Sequence, residues 1–415
     1  MIVSRRAFAA VTASGILTAS AARAAQVGNS DNPPQGSAAI KNNPRSSNVP
    51  GPQNKVLDAQ FPSSDMPPST DHGDVENFWF PFAQANRRIQ SGGWARQVTV
   101  KELPIATTLA GVDMRLTAGG VRELHWHLPA EWAFVLYDNA RITAFDQDGR
   151  SYVADVSAGD LWNFPSGIPH SIQGLEPDGT EFLLVFDDGS FSEFITFLPS
   201  VWMVHTPVEV LAKNFGVSGS AFDPIPLHEL YIFQAPVPAS LTQDRQAANG
   251  PQGPTPQSFS YALLKQKPNF SSPQGEVRIV DSKNFPISST IAAAHVIVRP
   301  GAMREMHWHP NADEWQYYIA GSSRMGVFAA GDNVRTKDFR AGDVGYIPRS
   351  MGHYVENTAD NDLVFLEVCR SSHYSSISFA QWLSHLPPEL VKAHFNFSDE
   401  TLKKLPKDNT TVIGS

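Results

Sequence analysis

Cysteine is nearly absent from this sequence of 415 residues, in which Cys369 is the only one. A single thiol excludes an intramolecular disulfide, so the chain does not belong to the class of small folds held together by disulfides. Cys369 lies in an apolar run, and we expect it to be a small buried side chain rather than a reactive group.

Basic residues are also fewer than acidic residues. The chain has 32 Lys and Arg against 41 Asp and Glu, which gives a formal net charge of −9. Removal of residues 1–24 would take away three arginines and no acidic residue, and the charge would become −12. An acidic surface of this kind disfavours nucleic acid and anionic membranes as partners.

Long hydrophobic runs are missing as well, and no segment is apolar enough to predict a membrane span. Residues 1–24 have instead the features of an export leader, namely the twin-arginine pattern Ser-Arg-Arg-Ala-Phe at 4–8, a short Ala-rich stretch and the small-residue site Ala-Arg-Ala at 22–24. The alternative is a disordered basic N-terminus. We expect export by the twin-arginine route and a periplasmic or secreted mature protein.

The sequence is rich in internal repetition. The segment Arg-Glu-Leu-His-Trp-His at 122–127 recurs 182 residues later as Arg-Glu-Met-His-Trp-His at 304–309. A glutamate follows each copy, and a further histidine comes 39 residues after that glutamate in both. The residues concerned are His125, His127, Glu131 and His170 in the first copy and His307, His309, Glu314 and His353 in the second. This internal repeat predicts two similar domains.

These repeated residues predict two metal centres. Side chains alternate on a strand, so the histidines of His-x-His point to one side and the Trp between them points to the other. A single His-x-His is weak evidence, but four candidate ligands at matching intervals in two copies are not. Three imidazoles and one carboxylate leave positions open on a six-coordinate ion, which suits a bound small molecule rather than a structural metal. Mn, Fe, Co and Ni all accept such ligands.

Each repeat also has the pattern of a β-structure. Short runs rich in Val, Ile, Phe, Tyr and Trp alternate with turn signals, and in the first copy they predict strands at 132–137, 141–145, 152–156 and 182–186. We therefore predict an all-β fold of two antiparallel jelly-roll barrels. The segments 202–215 and 382–395 have helical periodicity and are predicted to form short flanking helices outside the barrels.

Composition sets the domain boundaries. Residues 25–70 are rich in Pro, Asn and Ser and are expected to form an extended arm without a core of its own. The rest of the chain suits two domains of ordinary size. We place the N-terminal domain at 71–215, a Pro- and Gly-rich linker at 216–257, the C-terminal domain at 258–400 and a tail at 401–415.

The two repeats resemble a known family. Gly-x5-His-x-His-x3-Glu from Gly119 and Gly-x5-His-x-His-x4-Glu from Gly301, each followed by Gly-x5-Pro and a histidine, resemble the two cupin motifs. With Asp-Asp-Gly-Ser-Phe-Ser-Glu at 187–193 and Glu-Trp-Gln-Tyr-Tyr at 314–318, residues 67–397 are similar to the bicupin oxalate decarboxylases. Against the cupin pattern, Asp138 replaces the turn glycine, a tolerable change because Asp can adopt a left-handed backbone.

The resemblance implies a reaction and its cofactors. It implies one manganese in each barrel, hence two per chain, and dioxygen that is required but not consumed. The substrate would be oxalate, and the products would be formate and carbon dioxide.

The resemblance further implies the catalytic residues of the first barrel. Arg122 would hold and polarise a carboxylate of oxalate. Glu193 would be the general acid/base, on a loop that acts as a lid. With a proton donor at the carbon the product is formate, whereas without one the alternative is oxalate oxidase, which makes a second carbon dioxide and hydrogen peroxide. Phe194 and Ile195 depart from the small polar residues of bacterial relatives and bear on lid closure.

In the second barrel, Arg304 and Glu367 mirror the arginine and the carboxylate and are further candidate catalytic residues. Glu367 lies in the apolar run 363–368, which indicates a barrel strand rather than a mobile lid. This centre is either a second catalytic site or a structural and electron-relay site, and we expect the first barrel to be the main active site. Trp126 and Trp308 are predicted to face away from the metals, and in the family such residues meet between subunits, which implies a homo-oligomer, a trimer or a hexamer.

Two alternatives from other classes remain. One is a non-catalytic metal-binding bicupin, such as a storage or small-molecule-binding protein. The other is a bicupin dioxygenase that acts on a larger aromatic substrate. Protein without stoichiometric metal would support a storage or small-molecule-binding protein, and a small site closed by arginine argues against the dioxygenase.

Overall fold

A computed structural model describes residues 54–193 and 196–414 of the chain. The predicted leader, most of the predicted arm and the pair Phe194 and Ile195 lie outside the described residues. Residues 56–414 belong to one compact unit. Among the described residues, no helix is both long and apolar enough to cross a lipid bilayer.

The first barrel is one large antiparallel sheet that folds back on itself. Its strands are β2 (Arg87–Gln90), β3 (Gly93–Val98), β4 (Ala110–Leu116), β5 (Gly120–His125), β6 (Glu131–Phe145), β7 (Ser151–Ser157), β8 (Leu161–Phe164), β9 (His170–Gly174) and β10 (Thr180–Phe186). Strand β6 pairs with β8 and β10 through its first half and with β7 and β9 through its second half. The sheet therefore closes around this one strand.

Strand β6 corrects one detail of the sequence prediction, which had two strands separated by a turn at Asp138. The structure has one strand that bends there, and Asp138 has a φ of 59° in the left-handed region. The pairing of β10 with β6 shifts register beside this bend, between Glu181 and Phe182. Asp138 thus takes the conformation that its replacement of glycine requires.

The second barrel repeats the arrangement with two antiparallel sheets. Its strands are β13 (Phe270–Ser272), β14 (Gly275–Val280), β15 (Ala292–Val298), β16 (Ala302–Trp308), β17 (Glu314–Ala320), β18 (Ser322–Ala329), β19 (Asn333–Arg340), β20 (Asp343–Ile347), β21 (Gly352–Asn357), β22 (Leu363–Cys369) and β23 (Ile377–Ser378). Glu367 lies within β22, as the apolar run around it predicted. The predicted all-β fold of two antiparallel barrels is confirmed.

The two barrels exchange strands and share a core. Strand β1 (Trp79–Pro81) precedes the first barrel but pairs with β20 of the second, and β12 (Ser260–Tyr261) pairs with β8 of the first. Trp132 and Trp315 are fully buried in a hydrophobic cluster to which both barrels contribute. Gly111 allows this approach, because a Cβ there would lie 2.3 Å from the Trp315 ring. The exchange ties the two barrels into one body.

Two further strands come from segments that the sequence analysis assigned to the linker and the tail. Strand β11 (Ile232–Gln234) pairs with β5, and β24 (Val412–Gly414) pairs with β16. Strands β5 and β16 carry the first histidine of each His-x-His motif. Strands β11 and β24 therefore pair with the strands that hold the candidate sites.

The helices are short and lie before, between and after the two barrels in the sequence. They are α1 (Lys55–Gln60), α2 (Pro62–Asp65), α3 (Pro199–Val204), α4 (Val208–Phe215), α5 (Leu241–Ala248), α6 (Phe379–Ser384), α7 (Pro388–Phe395) and α8 (Asp399–Lys404), with single 3₁₀ turns at Phe82–Gln84, Gly219–Phe222 and Leu263–Lys265. Each flanking helix predicted from sequence is two helices, because Pro207 and Pro387 offer no N–H and keep the preceding residue out of the α region.

Candidate metal centres

The first centre lies where three strands of the first barrel begin or end. His125 ends β5, Glu131 begins β6 and His170 begins β9, while His127 lies in the short connection between the first two strands. The Nε2 atoms of His127 and His170 lie 3.2 and 3.4 Å from Oε2 of Glu131. One donor atom from each of the four residues lies within 4.8 Å of the others, and all four side chains are buried.

The second centre has the same construction. His307 is in β16, Glu314 begins β17, His353 is in β21 and His309 follows β16. Nε2 of His309 and Nε2 of His353 each lie 2.9 Å from Oε2 of Glu314. These four residues also have donor atoms within 4.8 Å of one another. The structure therefore brings all eight residues that the spacing singled out into two clusters of four.

Backbone carbonyls orient the imidazoles. The Nδ1–H of every one of the six histidines donates to a main-chain oxygen at 2.6–3.2 Å, and the acceptors are the carbonyls of Glu123, Pro129, Ile168, Glu305, Ser375 and Met351. This fixes the tautomer and leaves the Nε2 lone pairs directed at the centre of each cluster. Several of these buried Nε2 atoms, including those of His170, His307 and His353, have no hydrogen-bond partner among the described residues. Such a donor set fits a metal ion.

The carboxylate ligands are held by a second layer of side chains, which differs between the barrels. Trp162 Nε1 donates to Oε1 of Glu131 at 2.9 Å. Gln316 Nε2 donates to Oε1 of Glu314 at 2.7 Å, and the Tyr318 hydroxyl donates in turn to Gln316. In both centres one carboxylate oxygen is thereby occupied, and Oε2 is left to face the three imidazoles.

Charge in the clusters favours the protonation states that metal binding requires. Burial alone would raise the pKa of Glu131, but the neighbouring His170 and His127 hold it well below its ordinary value. Burial lowers the pKa of His125 well below its usual range, and the Arg122 guanidinium lowers it further. The carboxylate is therefore ionised and this imidazole neutral, as ligands to a divalent ion must be.

Arg122 is buried beside the first centre and is only loosely paired. Its Nη1 donates to the Tyr231 carbonyl at 3.3 Å, and its guanidinium lies 4.7 Å from the centre of the Tyr231 ring. Its Nε is 3.8 Å from Oε2 of Glu193, which is 5% exposed. The Glu193 backbone N–H donates to Gln97 at 3.4 Å. Glu193 and Tyr231 line a cavity of about 60 Å³.

Arg304 in the second barrel is, in contrast, tightly paired. Its Nε donates to Oε1 of Glu367 at 3.1 Å, its Nη1 donates to the Thr411 carbonyl at 3.2 Å, and its Nη2 donates to the Tyr374 hydroxyl at 3.3 Å. The Tyr374 hydroxyl in turn donates to Glu367. Burial, followed by the Glu367 charge, raises the pKa of Tyr374 well above its ordinary value, so the hydroxyl stays neutral. Arg304, Glu367 and Tyr374 form a closed, self-neutralised group.

The structure adds residues that the sequence analysis missed. Tyr231 and Thr411 come from the predicted linker and tail, and Tyr374 comes from the loop after β22. The available signal for the first two was weak: a short β-rich run, Tyr-Ile-Phe at 231–233 and Thr-Val-Ile at 411–413, stands at the end of each repeat. Nothing in the local sequence marked Tyr374.

The aromatic residues between the histidines lie outside the clusters, as strand alternation predicted. The Trp126 ring stacks on Phe197 at 5.6 Å and contacts Trp202 edge-on at 6.2 Å. The Trp308 ring meets Trp382 at 5.9 Å. Trp202 and Trp382 are exposed, so each pair forms a surface aromatic group next to a metal centre.

Two antiparallel barrels, each with three buried histidines and one glutamate at its mouth, define a two-domain cupin with two metal centres. The cupin family model matches residues 81–222 and 261–403. The chain is 52% identical to the oxalate decarboxylase of Bacillus subtilis (strain 168) over 87% of this chain and 93% of that protein, and 38% identical to a probable oxalate decarboxylase of Arthroderma benhamiae over 88% and 90%. The chain therefore belongs to the oxalate decarboxylase family of cupins.

Solved structures agree with this assignment. A structure of Bacillus subtilis oxalate decarboxylase, in which fine-structure parameters were assigned to the Mn(II) centres, matches with a TM-score of 0.85 at 52% identity. The match covers 88% of this chain and 96% of that one. The whole bicupin body is thus shared with that enzyme.

Proposed function

We propose that this chain is a manganese-dependent oxalate decarboxylase that converts hydrogen oxalate, HO₂C–CO₂⁻, into carbon dioxide and formate. Its relatives carry that activity in their names, and the solved relative has Mn(II) centres. Dioxygen belongs to the proposal as a cofactor that is required but not consumed. The ligands would be the two sets of three histidines and one glutamate, one manganese ion to each.

The observation that carries the proposal is the pairing of Arg122 with Glu193 at the first centre. Arg122 is a buried cation with no tight carboxylate partner among the described residues, because the approach of Glu193 is 3.8 Å. A guanidinium in such a place can bind the carboxylate of a small organic anion through two hydrogen bonds. Arg304 has no such freedom, since Glu367 and Tyr374 occupy its donors. The first barrel is therefore the better site for oxalate.

In this mechanism the residues supply charge and a proton. Manganese, when bound, supplies coordination positions and one-electron redox chemistry that weakens the central bond of oxalate. Arg122 orients the substrate and polarises the carboxylate that will become formate. Glu193 takes the proton of hydrogen oxalate and later returns it to the carbon that has lost carbon dioxide. The proton count is conserved, so no further acid is consumed.

Glu193 also separates the proposed reaction from its main alternative. Without a proton delivered to carbon, two electrons pass to dioxygen, and oxalic acid plus dioxygen give two carbon dioxide and hydrogen peroxide, which is the oxalate oxidase reaction. The burial of Glu193 next to Arg122 favours proton delivery in a water-poor site. We therefore assign Glu193 and Arg122 as the catalytic residues, with Glu367 and Arg304 in a structural or electron-relay role.

Product analysis tests the proposal. Manganese-loaded protein is given oxalate at mildly acid pH under air, and formate, carbon dioxide and peroxide are measured together. One formate for each oxalate with little peroxide supports decarboxylation, whereas two carbon dioxide with peroxide supports the oxidase. No turnover by protein that holds two manganese ions would leave the non-catalytic metal-binding bicupin.

The proposal extends to location and assembly. We propose a twin-arginine-exported protein of the periplasm or outside the cell, on the basis of residues 1–24, and a trimer or hexamer, on the basis of the exposed aromatic residues Trp202 and Trp382. Fractionation of a tagged full-length chain, with Arg5 and Arg6 both changed to Lys as the control, tests the first. Light scattering of the purified protein tests the second.

A further inference from the structure

Tyr231 occupies an unusual backbone position beside Arg122. It immediately precedes β11, whose Ile232 is the strand partner of Arg122. Its φ is 58°, in the left-handed region that a large side chain rarely adopts, and it is 1% exposed. Such a conformation persists only where the surroundings hold it in place.

The buried carboxylate of Glu123 holds the Tyr231 backbone in this conformation. Oε2 of Glu123 accepts hydrogen bonds from the backbone N–H groups of Leu230 and Tyr231, both at 2.8 Å, while Oε1 accepts from Ser200 at 2.6 Å. The Glu123 backbone N–H donates to the Tyr231 carbonyl at 3.0 Å. Glu123, the residue after Arg122 on β5, thus fixes the backbone of Tyr231.

The repeat shows that this backbone arrangement does not need a tyrosine. At the matching place in the second barrel, Thr411 has a φ of 48° and its carbonyl accepts from Glu305 N–H at 3.0 Å. Its own N–H donates to Oε1 of Glu305 at 3.1 Å, and Arg304 donates to its carbonyl. Because a threonine takes the same backbone arrangement, that arrangement does not explain the aromatic side chain of Tyr231.

That side chain faces the substrate-binding arginine and the proposed proton donor. The guanidiniums of Arg88 and Arg122 lie 3.7 and 4.7 Å from the centre of the Tyr231 ring. Tyr231 and Glu193 line the same small cavity. Burial raises the pKa of Tyr231 well above its ordinary value, and the charge of Glu193 adds to this effect. The hydroxyl therefore stays neutral and can donate to that carboxylate, whose buried Oε2 has no hydrogen-bond partner among the described residues.

We propose that Tyr231 is a positioning residue that holds the Glu193 carboxylate beside Arg122 by donating a hydrogen bond, and so sets the ratio of formate to peroxide. This inference rests on the proposed function. Fixed in this way, Glu193 is in place when the carbon needs its proton. Without the hydroxyl, proton delivery slows, and oxidation to peroxide gains a larger share of turnover.

The test compares Tyr231→Phe with the wild type. The variant keeps the ring over Arg122, so KM for oxalate stays within about twofold, while kcat for formate falls about tenfold, the effect expected for loss of one hydrogen bond to a charged group. The peroxide fraction rises and the manganese content stays the same. Tyr261→Phe, which removes a hydroxyl bonded to Gln266, a residue of neither cluster, is the matched control.

A double-mutant cycle separates positioning from a general structural effect. If Tyr231 acts through Glu193, Tyr231→Phe changes nothing further in a Glu193→Ala background. An equal loss in both backgrounds, or an unchanged formate-to-peroxide ratio in Tyr231→Phe, would overturn the role of Tyr231. If Tyr231→Phe lost manganese, Tyr231→Thr, which copies the second barrel, would be measured per bound metal. Absence of formate from the wild type would refute oxalate decarboxylation itself. That outcome is distinct from the outcomes that overturn the role of Tyr231.

Discussion

Arg304 and Glu367 form a hydrogen-bonded ion pair in which Nε and Oε1 are 3.1 Å apart and both side chains are almost fully buried. The equivalent pair in the first barrel, Arg122 and Glu193, is 3.8 Å apart at its closest atoms. The carboxylate comes from a central strand in one case and from a loop in the other. One arginine is therefore locked into the fold, whereas the other keeps the loosely paired guanidinium that the proposed function assigns to the substrate.

Glu367→Ala should destabilise the protein strongly. Removing one member of a buried ion pair leaves an uncompensated charge and costs about 3–5 kcal/mol. The free energy of unfolding would be measured by urea titration of manganese-loaded protein. Glu356→Ala, at an exposed carboxylate of the same barrel, should change it by less than about 0.5 kcal/mol. Equal effects of the two variants would mean that the pair with Arg304 contributes little.

Glu193→Gln should remove formate production without removing metal. General acid/base groups contribute about 10²–10⁴-fold to rate, and glutamine cannot carry the proton. Formate would be followed by NMR and peroxide by a coupled assay, with manganese measured on the same sample. Glu209→Gln on exposed α4 should match the wild type. Formate production retained within tenfold would exclude Glu193 as the proton donor.

Loss of one ligand should empty one centre and spare the other. His127→Ala and His309→Ala should each reduce manganese from two ions per chain to one, because the two clusters share no residue. Only His127→Ala should abolish formate production directly if the first barrel is the active site. Metal analysis together with formate assays checks this. A His309→Ala protein that kept one manganese and lost all activity would indicate that the second centre participates in the reaction.

The sequence predicted the site residues that lie at fixed intervals on strands. It did not predict the residues that a distant segment of the chain brings to the site. Spacing within the repeat singled out His125 and His307 with their partners, because neighbours along a strand and across a barrel mouth lie at fixed intervals. Tyr231 reaches Arg122 only because the segment after α4 returns as a strand beside β5. No local pattern encodes that return.

The same limit applies to the helices and to Tyr374. The 3.6-residue periodicity of 202–215 predicted a helix correctly but not its interruption before Pro207, where the proline removes a backbone donor. Tyr374 lies seven residues after Glu367 and contacts it across a loop whose course depends on the packed barrel. Such contacts follow from tertiary packing rather than from propensity.

His295 should make the protein less stable in acid. Its ring is buried against Phe134 of the first barrel, and burial, followed by the charge of Arg278, lowers its pKa from 6.5 to about 4. Between these values the unfolded chain binds more protons than the fold, so stability falls as pH drops from 6.5 to 4, by up to about 3 kcal/mol. His295→Leu should lessen this dependence in urea titrations at several pH values. If unfolding free energy varied with pH as steeply in His295→Leu as in the wild type, the role of His295 would be contradicted.

Asp113, in contrast to His295, should make the protein less stable as pH rises. Its strand partner is Arg96, but burial, followed by the charge of Glu181, raises the pKa of Asp113 from 3.8 to about 7. Between these values the fold binds the proton more tightly than the unfolded chain, so stability is lost as pH rises through this window. Asp113→Asn keeps the shape and removes the charge. Its advantage in unfolding free energy over the wild type should therefore grow from pH 4 to pH 7, reach at most about 4 kcal/mol and stay constant above. A difference that did not vary with pH would mean that Asp113 is ionised throughout, with Arg96 outweighing burial.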